Sequence, residues 1–159
     1  MNTFKTCLKI ASISCFGIIA FFSSCKEEST GPAAETRTKK ELLMLSPWKL
    51  TASVSKTPVD IDGMNGASTD RFIQLKPCEQ DNTYKFNADS TTTEVNNTKC
   101  KSNEAATAKG TWILSPDQKT LKWNGFDYPI IDITASNLIV KYSFKVGVET
   151  YELTDTYSH

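Results

Sequence analysis

From Trp48 to the C-terminus, apolar residues recur at every second position rather than at helical spacing. Trp48, Leu50, Ala52 and Val54 alternate with Lys49, Thr51, Ser53 and Ser55, which predicts a half-buried strand with the first set inward. Further short strands are predicted over 71–76 (Phe72, Ile73, Leu75), 83–87 (Tyr84 and Phe86 on one face), 110–114 (Trp112, Leu114) and 120–124 (Leu121, Trp123). Three more follow over 126–133, 137–144 (Leu138, Val140, Tyr142 and Phe144 on one face) and 150–154 (Tyr151 and Leu153 inward). Residues 91–95 are Thr-rich and polar, which predicts an edge or weak strand. Pro129 places a bulge or an edge position in 126–133, because proline donates no ladder hydrogen bond. Turn residues such as Asp81-Asn82, Ser115-Pro116-Asp117 and Gly147 separate the runs. No long amphipathic helix follows residue 46. Residues 41–45 form one helical turn at most, since Pro47 disfavours helical geometry before it. The polar stretches 56–69 and 96–109 are read as loops. The pattern predicts an all-β antiparallel meander closed into a barrel or sandwich.

The first residues follow another rule. Lys5 and Lys9 precede an uncharged run, Ile10 to Phe22, and then the small residues Ser23 and Ser24 before Cys25. A short basic region followed by an apolar run too short to span a bilayer is the pattern of a secretory signal peptide. Phe22-Ser23-Ser24-Cys25 resembles the lipobox of bacterial lipoproteins, with Phe22 in the place usually held by Leu. The resemblance implies cleavage before Cys25, acylation of its thiol (diacylglycerol and palmitate-type chains) and anchorage in a Gram-negative envelope, since several chains on one residue hold a membrane stably. Lys26-Glu27-Glu28 resembles an acidic tag that directs lipoproteins to the outer face of the outer membrane; a charged start to a linker is the plainer reading. The implied organisation is a removed leader (1–24), a lipidated N-terminus and tether (25–41) and a folded domain (42–159).

Cleavage changes the composition. Removing Lys5 and Lys9 from the 18 basic residues leaves 16 against 18 acidic ones, which excludes nucleic-acid binding by bulk charge. With Cys7 and Cys15 removed and Cys25 acylated, Cys78 and Cys100 remain as a pair. In an oxidising envelope compartment such a pair forms a disulfide; a thiol metal site is the other reading, disfavoured by the lack of nearby histidine.

The domain resembles the lipocalin-like domains of bacterial outer-membrane lipoproteins. Four segments carry the likeness: Leu42-Leu43 leading to Trp48-Lys49-Leu50, Cys78 through Phe86 (C-x-x-D-N-x-Y-x-F), Gly110-Thr111-Trp112, and Tyr151-Glu152-Leu153-Thr154. The resemblance implies an up-and-down barrel of about eight strands with a short N-terminal helical turn. Ser46-Pro47-Trp48 lacks the glycine of a true lipocalin G-x-W, and only Arg37 and Arg71 remain after cleavage, so the late arginine of that family is missing.

Catalytic chemistry finds little support. The single histidine, His159, is the last residue, which removes most imidazole-based designs. Asp60 through Gly66 has calcium-loop character but places Met64 where an oxygen ligand belongs. Asp89-Ser90-Thr91 resembles a short O-glycosylation sequon and reads equally well as a turn. The expectation is a protein that is not an enzyme and holds neither metal nor cofactor. Trp48, Tyr84, Phe86, Trp112, Trp123, Tyr142 and Tyr151 are candidates to line a cavity for a small, partly apolar ligand; filling the core is their plain alternative. The second functional reading is a solidly packed structural module whose loops 56–69 and 96–109 meet another envelope protein.

Overall fold

The computed structural model describes residues 37–60, 63 and 66–159; the expected signal peptide and Cys25 lie outside the described residues. Among the described residues nine strands follow one short helix. They are β1 (Trp48–Val59), β2 (Ser68–Asp70), β3 (Thr83–Phe86), β4 (Thr91–Val95), β5 (Thr107–Leu114), β6 (Thr120–Trp123), β7 (Phe126–Ile133), β8 (Asn137–Val146) and β9 (Glu149–Ser158). From β3 to β9 each strand pairs antiparallel with the next, and β1 closes the ring by pairing with both β3 and β9. The result is an eight-stranded up-and-down barrel, with β2 added to the far half of β1 through Val54–Asp70 and Val59–Ser68.

Helix α1 (Lys39–Leu43) starts two residues before the predicted turn, inside the stretch read as tether. Its start is set by a capping box, in which Thr38 accepts from the Glu41 backbone N–H while the Glu41 carboxylate accepts from Thr38. The helix buries Leu43 beside Trp48, whose indole N–H donates to the Leu43 carbonyl at 2.8 Å. Leu43, Trp48, Phe86, Trp112, Leu121, Trp123, Ile133, Leu138, Val140 and Tyr157 form one buried cluster at this end of the barrel.

Four expectations need correction. Residues 71–76 are not a strand. Phe72–Gln74 is a 3-10 turn with Ile73 in solvent, and Pro77 then starts α2 (Pro77–Gln80), a position where its missing N–H costs nothing. The segment 91–95 is no edge: β4 lies between β3 and β5, and Thr92 is buried. Its threonines suit an interior strand by β-propensity even though they are polar. The stretch 56–69 is partly strand, because β1 continues to buried Val59, whose carbonyl accepts from the Gln74 amide at 2.9 Å. Likewise β5 takes in the end of the 96–109 stretch, from Thr107 on.

The fourth correction has functional weight. The alternation in β1 changes face between Leu50 and Ala52, where the register with β9 slips by one residue. Beyond that bulge Ser53 and Ser55 point inward (1% and 2% exposed) and Val54 faces out at 49%. One extra residue in a period-two strand turns every later side chain to the other face. In β7 a comparable slip falls between Ile130 and Asp132, next to Pro129, in keeping with the bulge read from that proline.

The family motifs acquire physical reasons. A Cβ at Gly110 would collide with the Asn124 side chain, which crosses there to accept from the Thr111 N–H at 3.1 Å. Asn124 and Gly125 both have positive φ (51° and 86°), as a two-residue turn between β6 and β7 requires. Cys78, on α2, is bonded to Cys100 across 22 residues, tying α2 to the β4–β5 connection. Replacing both cysteines by alanine is expected to cost about 3 kcal/mol, the loop-closure entropy of a link of this span. Denaturant unfolding of the oxidised protein and of the Cys78→Ala/Cys100→Ala variant measures it; equal midpoints would contradict this account of the bridge.

Candidate functional site

The barrel is filled at one end and open at the other. At the packed end the tryptophans meet other rings edge-on, with Phe86 5.5 Å from Trp112 and 5.1 Å from Trp123, centroid to centroid. Trp112 donates its indole N–H to the Asn87 carbonyl at 2.9 Å. Towards the open end the inward residues of β1, β7, β8 and β9 enclose a cavity of about 260 Å³. Its wall is Leu50 and Ser53 of β1, Arg71, Tyr128 of β7, Tyr142 and Phe144 of β8, and Leu153 and Asp155 of β9.

Strand register builds the polar side of this wall. Ser53 and Asp155 are direct partners across β1 and β9, and the serine hydroxyl donates to Asp155 Oδ1 at 2.6 Å. On the other side of β1, the Arg71 N–H donates to the Ser53 carbonyl at 2.8 Å, which fixes Arg71 against the same residue. Without the bulge Val54 would have faced inward in place of Ser53, and Asp155 would have lost its donor.

The opposite side is aromatic. Tyr128 stacks on Tyr142 at 5.3 Å and 18°, and Tyr142 on Phe144 at 6.0 Å and 9°. Phe144 in turn stacks on Tyr151 at 5.6 Å. Tyr142 also stands at a gap in the barrel wall. Among the described residues, Phe126–Pro129 of β7 pair with β6, and β8 pairs with β7 only through Leu138–Val140. Past that point the two strands separate, and a groove of about 270 Å³ runs between Phe126, Asp127 and Pro129 on one side and Lys141, Tyr142 and Ser143 on the other.

Burial dominates the electrostatics. Asp155 is 8% exposed, and desolvation holds its carboxyl above the ordinary carboxylate range, while the Ser53 hydrogen bond and the charge of Arg71 pull it back. Burial pushes the Tyr128 hydroxyl up to about 12 and the Tyr84 and Tyr157 hydroxyls upward as well, so these three stay neutral at ordinary pH.

Of the aromatics singled out in the sequence, Tyr142 is on the cavity wall. Trp48, Phe86, Trp112 and Trp123 lie in the packed cluster instead. Tyr84 packs edge-on against Trp123 at 4.9 Å and borders a separate crevice of about 30 Å³. Tyr151 sits outside the wall and donates its hydroxyl to Glu149. Ser53, Arg71, Tyr128, Phe144 and Asp155 were not anticipated as site residues. The signal for Asp155 is its place between Leu153 and Tyr157, two positions apart on the inward face of the last strand.

A family model described as a lipocalin-like domain matches residues 47–140, more than half of the 159-residue chain. The chain belongs to the lipocalin-like family. No curated protein matches its sequence. A lipocalin-like barrel is a ligand-binding type of fold, and in this member a cavity lies between the polar Ser53–Asp155 pair and the Tyr128–Tyr142–Phe144 wall.

A carboxyl raised above its ordinary 3.8 binds its proton more tightly in the folded chain than in the unfolded one. The folded state therefore loses stability as pH rises from about 3.8 through the raised value, and is level above it. Asp155→Asn removes that slope. Denaturant midpoints of both proteins across acidic pH should show the wild type losing ground to the variant as pH rises; the opposite trend would show that the carboxylate is favourably held.

Proposed function

We propose that this protein is a lipid-anchored lipoprotein of the outer membrane whose barrel holds a small, partly apolar ligand at its open end without chemical turnover. The observation that carries the reading is the half-filled barrel: a packed cluster under α1 at one end, and an aromatic-walled cavity of about 260 Å³ with one buried polar pair at the other. Such a site, apolar with a few convergent polar groups, is how small-molecule pockets are generally built. The lower part of the barrel supports the upper. Closed by Trp48 and Leu43, it gives the cavity a rigid floor.

The anchor is supported by the leader and by Cys25 after Ser23-Ser24. Helix α1 starts at Lys39, so the barrel begins soon after the proposed lipidated residue.

The second reading, an interaction module facing another envelope protein, is favoured by side chains the cavity does not use. Ile73 and Ile113 are each 62% exposed, and Val54 and Ile131 about half exposed. Cross-linking on intact cells tests it.

Two outcomes follow. Saturable binding of a neutral apolar fluorophore to the purified protein is expected, with Tyr142→Ala or Phe144→Ala weakening it by about 1 kcal/mol through lost ring contact. No saturable binding and no co-purifying small molecule in native mass spectra would defeat the ligand reading. Cys25→Ala is expected to move the protein from the membrane pellet to the soluble fraction; retention in the pellet would defeat the anchor.

A further inference from the structure

We propose that the ligand of the open-end cavity is a small aromatic amine, its ammonium against the Asp155 carboxylate and its ring on the Tyr128–Tyr142–Phe144 wall. This rests on reading the cavity as a ligand site, and adds the chemical class.

The first observation is a buried acid with no ion-pair partner among the described residues. Asp155 is buried on the wall of a cavity, and its one hydrogen-bond donor among the described residues is the Ser53 hydroxyl. The ion pairs among the described residues, Lys122–Asp127 and Lys141–Glu152, leave Asp155 out. Arg71 lines the same cavity but is not within ion-pair distance of it. Taking a carboxylate out of water is costly unless a cation and further donors meet it. A ligand ammonium supplies both, with three donors in a compact head.

The second observation is the facing wall. Three rings set nearly parallel, at 18° and 9°, give an apolar aromatic surface against which a further ring can pack. The third is size. A cavity of about 260 Å³ is at the small end for ligand pockets, enough for one ring and a short arm. The fourth is the bulge in β1. Its effect is to exchange a buried valine for a serine that holds the acid in place, a change that stability alone does not reward.

The test uses the full chain in lipid nanodiscs, titrated calorimetrically with 2-phenylethylamine, its neutral analogue 2-phenylethanol and its anionic analogue 3-phenylpropanoate, with empty nanodiscs as the blank. The amine is expected to bind roughly tenfold more tightly than the alcohol, as a charge-assisted hydrogen bond gives. The anion is expected not to bind. Asp155→Asn, which keeps an acceptor for Ser53, should abolish the amine's advantage over the alcohol. Because the comparison of the three compounds is made on the wild type, it stands even if the variant folds poorly. Equal binding of amine and alcohol would overturn the amine class and leave the cavity a ligand site. Preference for the anion would overturn it in favour of Arg71 as the anchor. If none of the three binds and the apolar fluorophore also fails, the ligand reading falls and the amine class with it.

Discussion

Closure of the barrel rests on the pairing of β1 with β9, which runs from Lys49–Ser158 to Ser55–Leu153 and is interrupted by a single slip between Leu50 and Ala52. On the near side of the slip, Trp48 is fully buried and Leu50 half-buried; on the far side, Ser53 and Ser55 take the inward places. Had the strand continued without the slip, Val54 would have faced the interior, a change worth about 2 kcal/mol in apolar burial. The chain forgoes that and leaves the Ser55 hydroxyl buried without a partner among the described residues. The slip is what separates a barrel packed along its whole length from one with a polar, partly empty end.

Around that division the rest of the molecule arranges itself. The packed end uses large rings and closes itself with α1, and two of its three indole N–H groups are met by carbonyls of Leu43 and Asn87. Its interior is therefore spent on packing, and the aromatics there are held by neighbours on every side. At the open end β8 and β9 continue to pair as far as Val146–Glu149, beyond the reach of β7, and carry Tyr142, Phe144 and Leu153 with them, while Asp155 lies level with the last β7–β8 pair. The cavity is thus mounted mainly on one long hairpin and on β1, the three strands with the most extensive pairing in the barrel.

Much of this was legible in the residues. Period-two alternation located β3, β5, β6, β8 and the first half of β9, because a strand with one wet face must alternate; β4 was read from its threonines, β7 from an apolar run, and β9 continues past the predicted end at Thr154 to Ser158, while the cysteine pair was found by asking which thiols remain. The alternation did not reveal the slip in β1: Trp48-Lys49-Leu50-Thr51-Ala52-Ser53-Val54 alternates without a fault, and only pairing with β9 decides where an extra residue is absorbed. The site residues were obscured for a related reason. Ring size marks both core and cavity, so Trp48, Phe86 and Trp112 carried the same signal as Tyr142. What distinguishes a cavity is a charged residue in phase with apolar ones, and Asp155 between Leu153 and Tyr157 has that property. The 3-10 turn at Phe72–Gln74 was hidden because adjacent apolar residues fit strand and turn alike.

The gap between β7 and β8 follows from the same local chemistry. Pro129 brings no N–H to a ladder, and β7 pairs with β8 only from Ile130 onward, through the second slip. Up to Pro129 the strand spends its hydrogen bonds on β6, and the hairpin of β8 and β9 is left to extend alone. Tyr142 occupies the parting: it borders the outer groove with Lys141 and Ser143 and the inner cavity with Phe144 and Leu153. Tyr142 is laddered to Leu153 of β9, but towards β7 it is met by ring contact with Tyr128 and not by a backbone ladder. Ring contacts of this kind are worth about 1 kcal/mol each, far less than strand pairing over several residues. The wall of the cavity is consequently held by side chains where β7 and β8 part, and a ligand packed against the edge of that ring row would bridge two strands that share no ladder there.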